Sequence, residues 1–271
     1  MKEIAFEARQ ELDYRTNEAY KSLRTNIQFC GAQIKVISFT SCTPNEGKSS
    51  VSFNLAVSIA DSGKRVLLLD ADMRKSVLAG RYKVGKIDAG LAHYLAGQKD
   101  FEEVAYQTDI ENMDIIFSGP FVPNPAELLE SDSFHELVED CRENYDYVLI
   151  DTPPLGSVID SAIVAKEVDG AILVIEADAI SYHFVQNVKS QLEKSNVRIL
   201  GTVLNKVPMG GGKYGSYGYG KYGYGKYGYG QYGKYYGDYG EYGKYTGGGV
   251  TKNPDLPILR GYSRKSKHWG R

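Results

Sequence analysis

The chain has 271 residues, 42% of them hydrophobic and 24% charged, with a formal net charge of −2 at pH 7, which is enough material for one substantial core. Three cysteines (Cys30, Cys42 and Cys141), odd in number and without a CxxC pair, suggest neither a disulfide framework nor a zinc site and fit a reducing cytosol. No apolar run approaches the roughly eighteen residues of a membrane span, so any membrane contact is expected to come through a partner.

The first residues, "MKEIAFEARQELDYR", are charged throughout. A helix is predicted from about Thr16 to Phe29, with Ala19, Tyr20, Leu23 and Ile27 on one side and Glu18, Lys21 and Arg24 sharing a neighbouring sector. Six short apolar runs then alternate with helix-like segments: "IKVISFT", "RVLLLD", "MDIIF", "YDYVLID", "GAILVIEA" and "RILGTVLN". They are rich in Val and Ile and apolar on both faces, as buried parallel strands are. The pattern predicts a doubly wound α/β domain with a mostly parallel sheet. Four regions follow: an N-terminal helical segment (1–31), the α/β domain (32–209), a Tyr/Gly-rich stretch (210–249) and a basic end (250–271).

"SCTPNEGKSS" sits between the first of these runs and a helix-like segment, where a phosphate-binding loop belongs. Backbone N–H groups at the helix start would face phosphates, Lys48 would neutralise them and the Ser49 hydroxyl would reach Mg²⁺. Cys42 stands where the general pattern has glycine. Asp70 and Asp72 follow the strand "RVLLLDAD" and Asp151 ends "YDYVLID", so three carboxylates gather at the edge where open α/β sheets bind ligands and can hold Mg²⁺ directly or through water. Asn205 ends the last strand, where similar ATPases contact adenine, and a turn-forming Asn is the other reading.

The stretch from Gly210 to Gly249 has almost no aliphatic residues and is predicted to be disordered. Thirteen tyrosines punctuate it: Tyr214, Tyr217, Tyr219, Tyr222, Tyr224, Tyr227, Tyr229, Tyr232, Tyr235, Tyr236, Tyr239, Tyr242 and Tyr245. "GYGKYG" satisfies the dinucleotide fingerprint by composition alone, since no strand precedes it and no helix follows, and NAD binding is rejected. Five lysines against Asp238 and Glu241 give the stretch a formal +3. That charge is sparse and Arg-Gly repeats are missing, so nucleic acid is not the expected partner.

Together, "CTPNEGKSS", "VLLLDADMRKS", "YDYVLIDTPP", "SGPFVPNPAELLES", "EAYKSLRTNIQF" and the tyrosine cluster after "VLNKV" resemble the bacterial tyrosine kinases of capsule and exopolysaccharide assembly in Gram-positive bacteria. The resemblance covers roughly residues 14 to 245 and implies a P-loop fold of the deviant Walker type that uses ATP and Mg²⁺. It implies phosphate binding by Lys48 within a loop formed by Thr43, Pro44, Asn45, Glu46, Gly47, Ser49 and Ser50. Ser49 and Asp151 would hold the metal, with Asp70 and Asp72 organising its waters and the incoming phenol. The tail tyrosines would be phosphorylated in trans, with a formal charge of about −17 to −23 at full modification. Partners implied are other copies in a ring, octameric in the family, a transmembrane activator that recruits the cytoplasmic chain to the membrane's inner face, and a tyrosine phosphatase. The family's ring motif reads ExxRxxR, whereas this chain has Glu18, Lys21 and Arg24. Lysine lacks the planar fork that pairs bidentately with carboxylates. The competing reading is a MinD/ParA-like ATPase switch, but those proteins carry a lysine where this chain has Thr43.

Overall fold

The computed structural model describes residues 1–208; the tyrosine cluster from Tyr214 to Tyr245 and the basic end lie outside the described residues. In chain order the elements are β1 (Lys2–Ile4), α1 (Tyr14–Phe29), β2 (Val36–Ser41), α2 (Lys48–Ala60), β3 (Val66–Asp70), α3 (Leu78–Tyr82), α4 (Leu91–Leu95), α5 (Phe101–Val104), β4 (Ala105–Thr108), β5 (Met113–Ile116), α6 (Pro125–Leu129), α7 (Asp132–Asn144), β6 (Tyr147–Asp151), α8 (Asp160–Val164), β7 (Gly170–Glu176), α9 (Tyr182–Glu193) and β8 (Ile199–Asn205). The strands form one sheet in the order β1-β4-β5-β3-β6-β2-β7-β8. Every pairing is parallel except β4 with β5.

All six expected runs are strands. In the interior strands this double-sided apolarity follows from burial on both faces: Ile37, Phe39, Leu68 and Leu149 enter one core, and Val36, Leu67, Leu69, Val148 and Ile150 the other, whereas β8, at the sheet edge, is only partly buried. Two strands escape a hydrophobicity reading, β1 ("KEI") and β4 ("AYQT"). They are three and four residues long, carry polar side chains, and are defined by pairing with each other and with β5.

Asp13 caps α1, accepting from the backbone N–H groups of Arg15 and Thr16 at 3.0 and 3.2 Å. Ile27 is buried, Tyr20 and Leu23 pack against the same core, and Ala19 is exposed at the margin of that stripe. The segment ahead of the helix also joins the core. Phe6 meets Phe53 edge-on at 4.8 Å between ring centroids, and Phe53 stacks on Tyr82 at 3.8 Å. Among the described residues no helix is long and apolar enough to cross a membrane.

Removing the buried Phe6 ring should therefore destabilise the whole domain. Phe6→Ala is expected to cost about 3–5 kcal/mol and lower Tm by roughly 10 °C in a thermal melt. An unchanged melt would mean that the N-terminal segment does not pack against α2.

Candidate functional site

The carboxyl ends of β2, β3, β6, β7 and β8 line up at one edge of the sheet, and the register places Asp70 directly beside Asp151. The loop from Cys42 to Gly47 leaves β2 there and enters α2 with Lys48 as its first residue. Gly47 makes the turn at φ +90, and a Cβ on it would lie 2.1 Å from Asn205 Nδ2, so only glycine fits. Asn45 also takes a left-handed conformation, at φ 66.

Side chains from distant strands brace this loop. Glu46 is buried and accepts from the Thr43 N–H, from Thr43 Oγ1 at 2.8 Å and from the Glu176 N–H at 3.2 Å. Asn205 Nδ2 donates to the Glu46 carbonyl at 2.9 Å, and Lys206 Nζ donates to the Asn45 carbonyl at 2.6 Å. Asn205 thus contacts the loop itself. On the other side Gly156 lies so close that a Cβ would sit 2.1 Å from the Cys42 carbonyl oxygen. Cys42 is fully buried, and burial pushes its thiol up to about 12, so the thiolate needed for redox chemistry is suppressed.

At the centre, Lys48 Nζ lies 3.1 Å from Asp72 Oδ2, 3.7 Å from Asp151 Oδ1 and 3.3 Å from Ser49 Oγ. All four expected charged residues are buried: Lys48 is 9% exposed, Asp72 3%, Asp151 1% and Asp70 0%. Burial works against the ammonium charge, but the carboxylates of Asp151 and Asp72 outweigh it and hold the Lys48 pKa above its ordinary value. Burial, then the negative charge of Asp151, pushes Asp70 up to about 8. Asp70 accepts from Ser76 Oγ and, at 3.2 Å, from the Asp72 N–H. Burial also raises Asp151, with Lys48 opposing it. Asp151 Oδ1 has no hydrogen-bond partner.

The chemistry of these donors fits one hard divalent cation. Among the described residues no three acidic, imidazole or thiol groups come together tightly enough to hold a metal alone. Mg²⁺ requires less: it is commonly bound through one or two carboxylates plus phosphate oxygens and retained water. Asp151 Oδ1, which faces Lys48 but accepts no hydrogen bond, and the Ser49 hydroxyl at the head of α2 are suitable. The backbone N–H groups of the same helix start favour an anion. A cavity of about 640 Å³ lies at the opposite end of the strands, between residues 1–5, Arg65 and residues 107–114, remote from this chemistry.

The three residues at the place of the ring motif, Glu18, Lys21 and Arg24, are divided. Glu18 and Lys21 pair with each other at 2.7 Å on the surface, whereas Arg24 borders the buried stripe and donates to the Ser58 carbonyl at the end of α2. Sequence reasoning missed the bracing by Lys206, Ser76 and Gly156, and a fork between Arg74 and Asp160. Their partners lie far away along the chain, Ser76 excepted, and no spacing announces them.

Asp70 makes the stability of the metal-free protein depend on pH. Its folded pKa lies above its unfolded value near 3.9, so its contribution is full below pH 4 and is lost as pH rises through about 8. Asp70→Asn removes that loss. Its stability gain over wild type should grow between pH 4 and 8, reaching about 1–3 kcal/mol in urea unfolding without Mg²⁺ or nucleotide. A difference that stays flat with pH would show that Asp70 does not titrate in this range.

Residues 34–201 match a family model described as an AAA domain. A tyrosine-protein kinase, CpsD, of Streptococcus agalactiae is 41% identical over 204 residues, covering 75% of this chain and 89% of that protein. The kinase domain of the Escherichia coli tyrosine kinase ETK superposes with a TM-score of 0.69 at 34% identity, over 75% of this chain and 80% of that one. The cell division ATPase MinD of Pyrococcus furiosus shares the fold more distantly, with a TM-score of 0.54 at 28% identity over 63% and 71% of the two chains. By sequence and by structure, then, the chain belongs to the bacterial tyrosine kinases: it is a nucleotide-binding, P-loop protein-tyrosine kinase.

Proposed function

We propose that the edge built around Lys48 transfers the γ-phosphoryl group of ATP to tyrosines of the chain's own tail, presented by another copy. The observation that carries this reading is the buried Lys48 ammonium between Asp72 and Asp151 at the head of α2. Phosphoryl transfer proceeds through a loose transition state, so positioning and charge neutralisation dominate. Lys48 and the backbone N–H groups of residues 45–50 hold and neutralise the phosphates. Ser49 and Asp151 would hold Mg²⁺, which would supply further neutralisation of the triphosphate. Asp70 and Asp72 order the surrounding waters, and one of the two carboxylates receives the proton of the attacking phenol, whose ordinary pKa is near 10. Asn205 both braces the loop and borders the place for adenine.

The tyrosines from Tyr214 to Tyr245 follow Asn205 and Lys206, which touch the phosphate loop. Lys206, eight residues before Tyr214 in the sequence, thus lies at the nucleotide edge. Phosphates contribute roughly −1.5 to −2 each, and like-charged tails on neighbouring subunits repel. The function is then a cycle: copies assemble through the face carrying Glu18, Lys21 and Arg24, phosphorylate one another and separate, and a phosphatase resets them. A membrane-spanning activator would recruit the chain and engage this cycle in control of capsular or exopolysaccharide synthesis and export.

The MinD likeness favours a second reading, an ATPase switch without kinase activity. Thr43 argues against it, because the switch ATPases use a lysine at that place across a two-subunit sandwich. Incubation with labelled ATP and Mg²⁺, with the activator present, separates the two: phosphotyrosine on the tail supports the kinase, and free phosphate alone the switch. Lys48→Met should reduce tyrosine labelling at least about a thousandfold while the melt still shows a folded domain; labelling at the wild-type rate would overturn the site assignment. In sedimentation, phosphorylated protein should be smaller than phosphatase-treated protein, and equal masses would remove the assembly cycle.

A further inference from the structure

Arg74 and Asp160 make a contact that none of the assigned roles uses. Arg74 Nε donates to Asp160 Oδ2 at 2.8 Å and Nη2 to Oδ1 at 2.9 Å, a planar two-bond fork. The Asp160 side chain has no exposure and that of Arg74 is 28% exposed. A fully buried carboxylate needs such a partner, and the fork fixes distance and plane together, which a lysine ammonium does not.

The two residues belong to the two loops that flank Lys48. Arg74 lies in the turn that follows β3, in which Asp72 contacts Lys48 and accepts from the Lys75 N–H at 3.0 Å. Asp160 closes the loop that begins at Asp151 and packs through Gly156 against the Cys42 carbonyl. The neighbouring Ser161 extends the junction to a third element. Its hydroxyl lies 3.2 Å from Thr40 Oγ1 of β2 and donates to the Pro153 carbonyl. The start of α8 thus ties the Asp72 turn, the loop after Asp151 and the strand leading into the phosphate loop into one body.

We propose that the Arg74–Asp160 fork is a positioning device: it locks the turn bearing Asp72 to the loop following Asp151, so that the two carboxylates beside Lys48 keep the separation Mg²⁺ and phosphate require. This rests on the reading of that edge as the phosphoryl-transfer site. Neither residue touches the reacting atoms. The fork acts through Asp72 and Asp151.

The test uses the full chain and two gentle variants, Arg74→Lys, which keeps the cation and loses the fork, and Asp160→Asn, which leaves no buried charge unpaired. Hydrogen exchange is followed in peptides covering 71–76 and 152–160, and ADP binding is measured by calorimetry with and without Mg²⁺. Each variant should speed exchange about tenfold in both segments, including the one that carries no substitution. The gain in ADP affinity conferred by Mg²⁺ should shrink about tenfold, with metal-free affinity changed less than about twofold. Faster exchange confined to the substituted segment, or an unchanged Mg²⁺ gain, overturns the proposal. Should one variant fail to fold, the other carries both readouts. Exchange requires no nucleotide, so wild-type protein that binds no ADP would refute the site reading separately.

Discussion

The arrangement of this protein depends on a buried charge balance. Asp70, Asp72 and Asp151 are brought to one edge of the sheet, each almost wholly shielded from water, and burial makes Asp70 and Asp151 resist ionisation. The Lys48 ammonium, 3.1 Å from Asp72 and 3.7 Å from Asp151, makes that concentration of negative charge tolerable. Asp70, held by Ser76 and the Asp72 N–H, carries the residue of the imbalance as a raised proton affinity. A site with excess buried negative charge and an unpartnered oxygen on Asp151 suits the approach of a hard cation that arrives with phosphate.

The charge balance works only if the loop carrying Lys48 keeps its shape. Its two left-handed residues, Asn45 and Gly47, are conformations an isolated segment would not hold. They persist because Glu46 is bonded back to Thr43 and across to Glu176, and because Asn205 and Lys206 take the carbonyls of Glu46 and Asn45. The strand ends of β7 and β8 therefore act as part of the phosphate loop.

The N-terminal region adds a second dependency. Phe6 and Tyr20 bring residues ahead of the first central strand onto α2, the helix that begins with Lys48. Arg24 reaches the Ser58 carbonyl at the far end of the same helix. The face that includes Glu18 and Lys21 is thereby joined to the helix that begins with Lys48.

The sequence by itself determined the double-sided strands, because continuous Val- and Ile-rich runs have no other soluble use. It placed Asp70, Asp72 and Asp151 at strand ends, because each closes or follows its run, and Lys48 at the helix start after the loop that leaves the first run, and its six motifs identified the kinase family. It did not disclose β1 or β4, whose few polar residues become strands only through their neighbours. Nor did it disclose that Ala19 faces solvent, that Asn205 supports the loop, that Arg24 turns inward, or that Arg74 meets Asp160. These were decided by tertiary structure, since each rests on groups separated by tens to more than a hundred residues, and periodicity along a chain carries no information about which distant side chain will fill a given space.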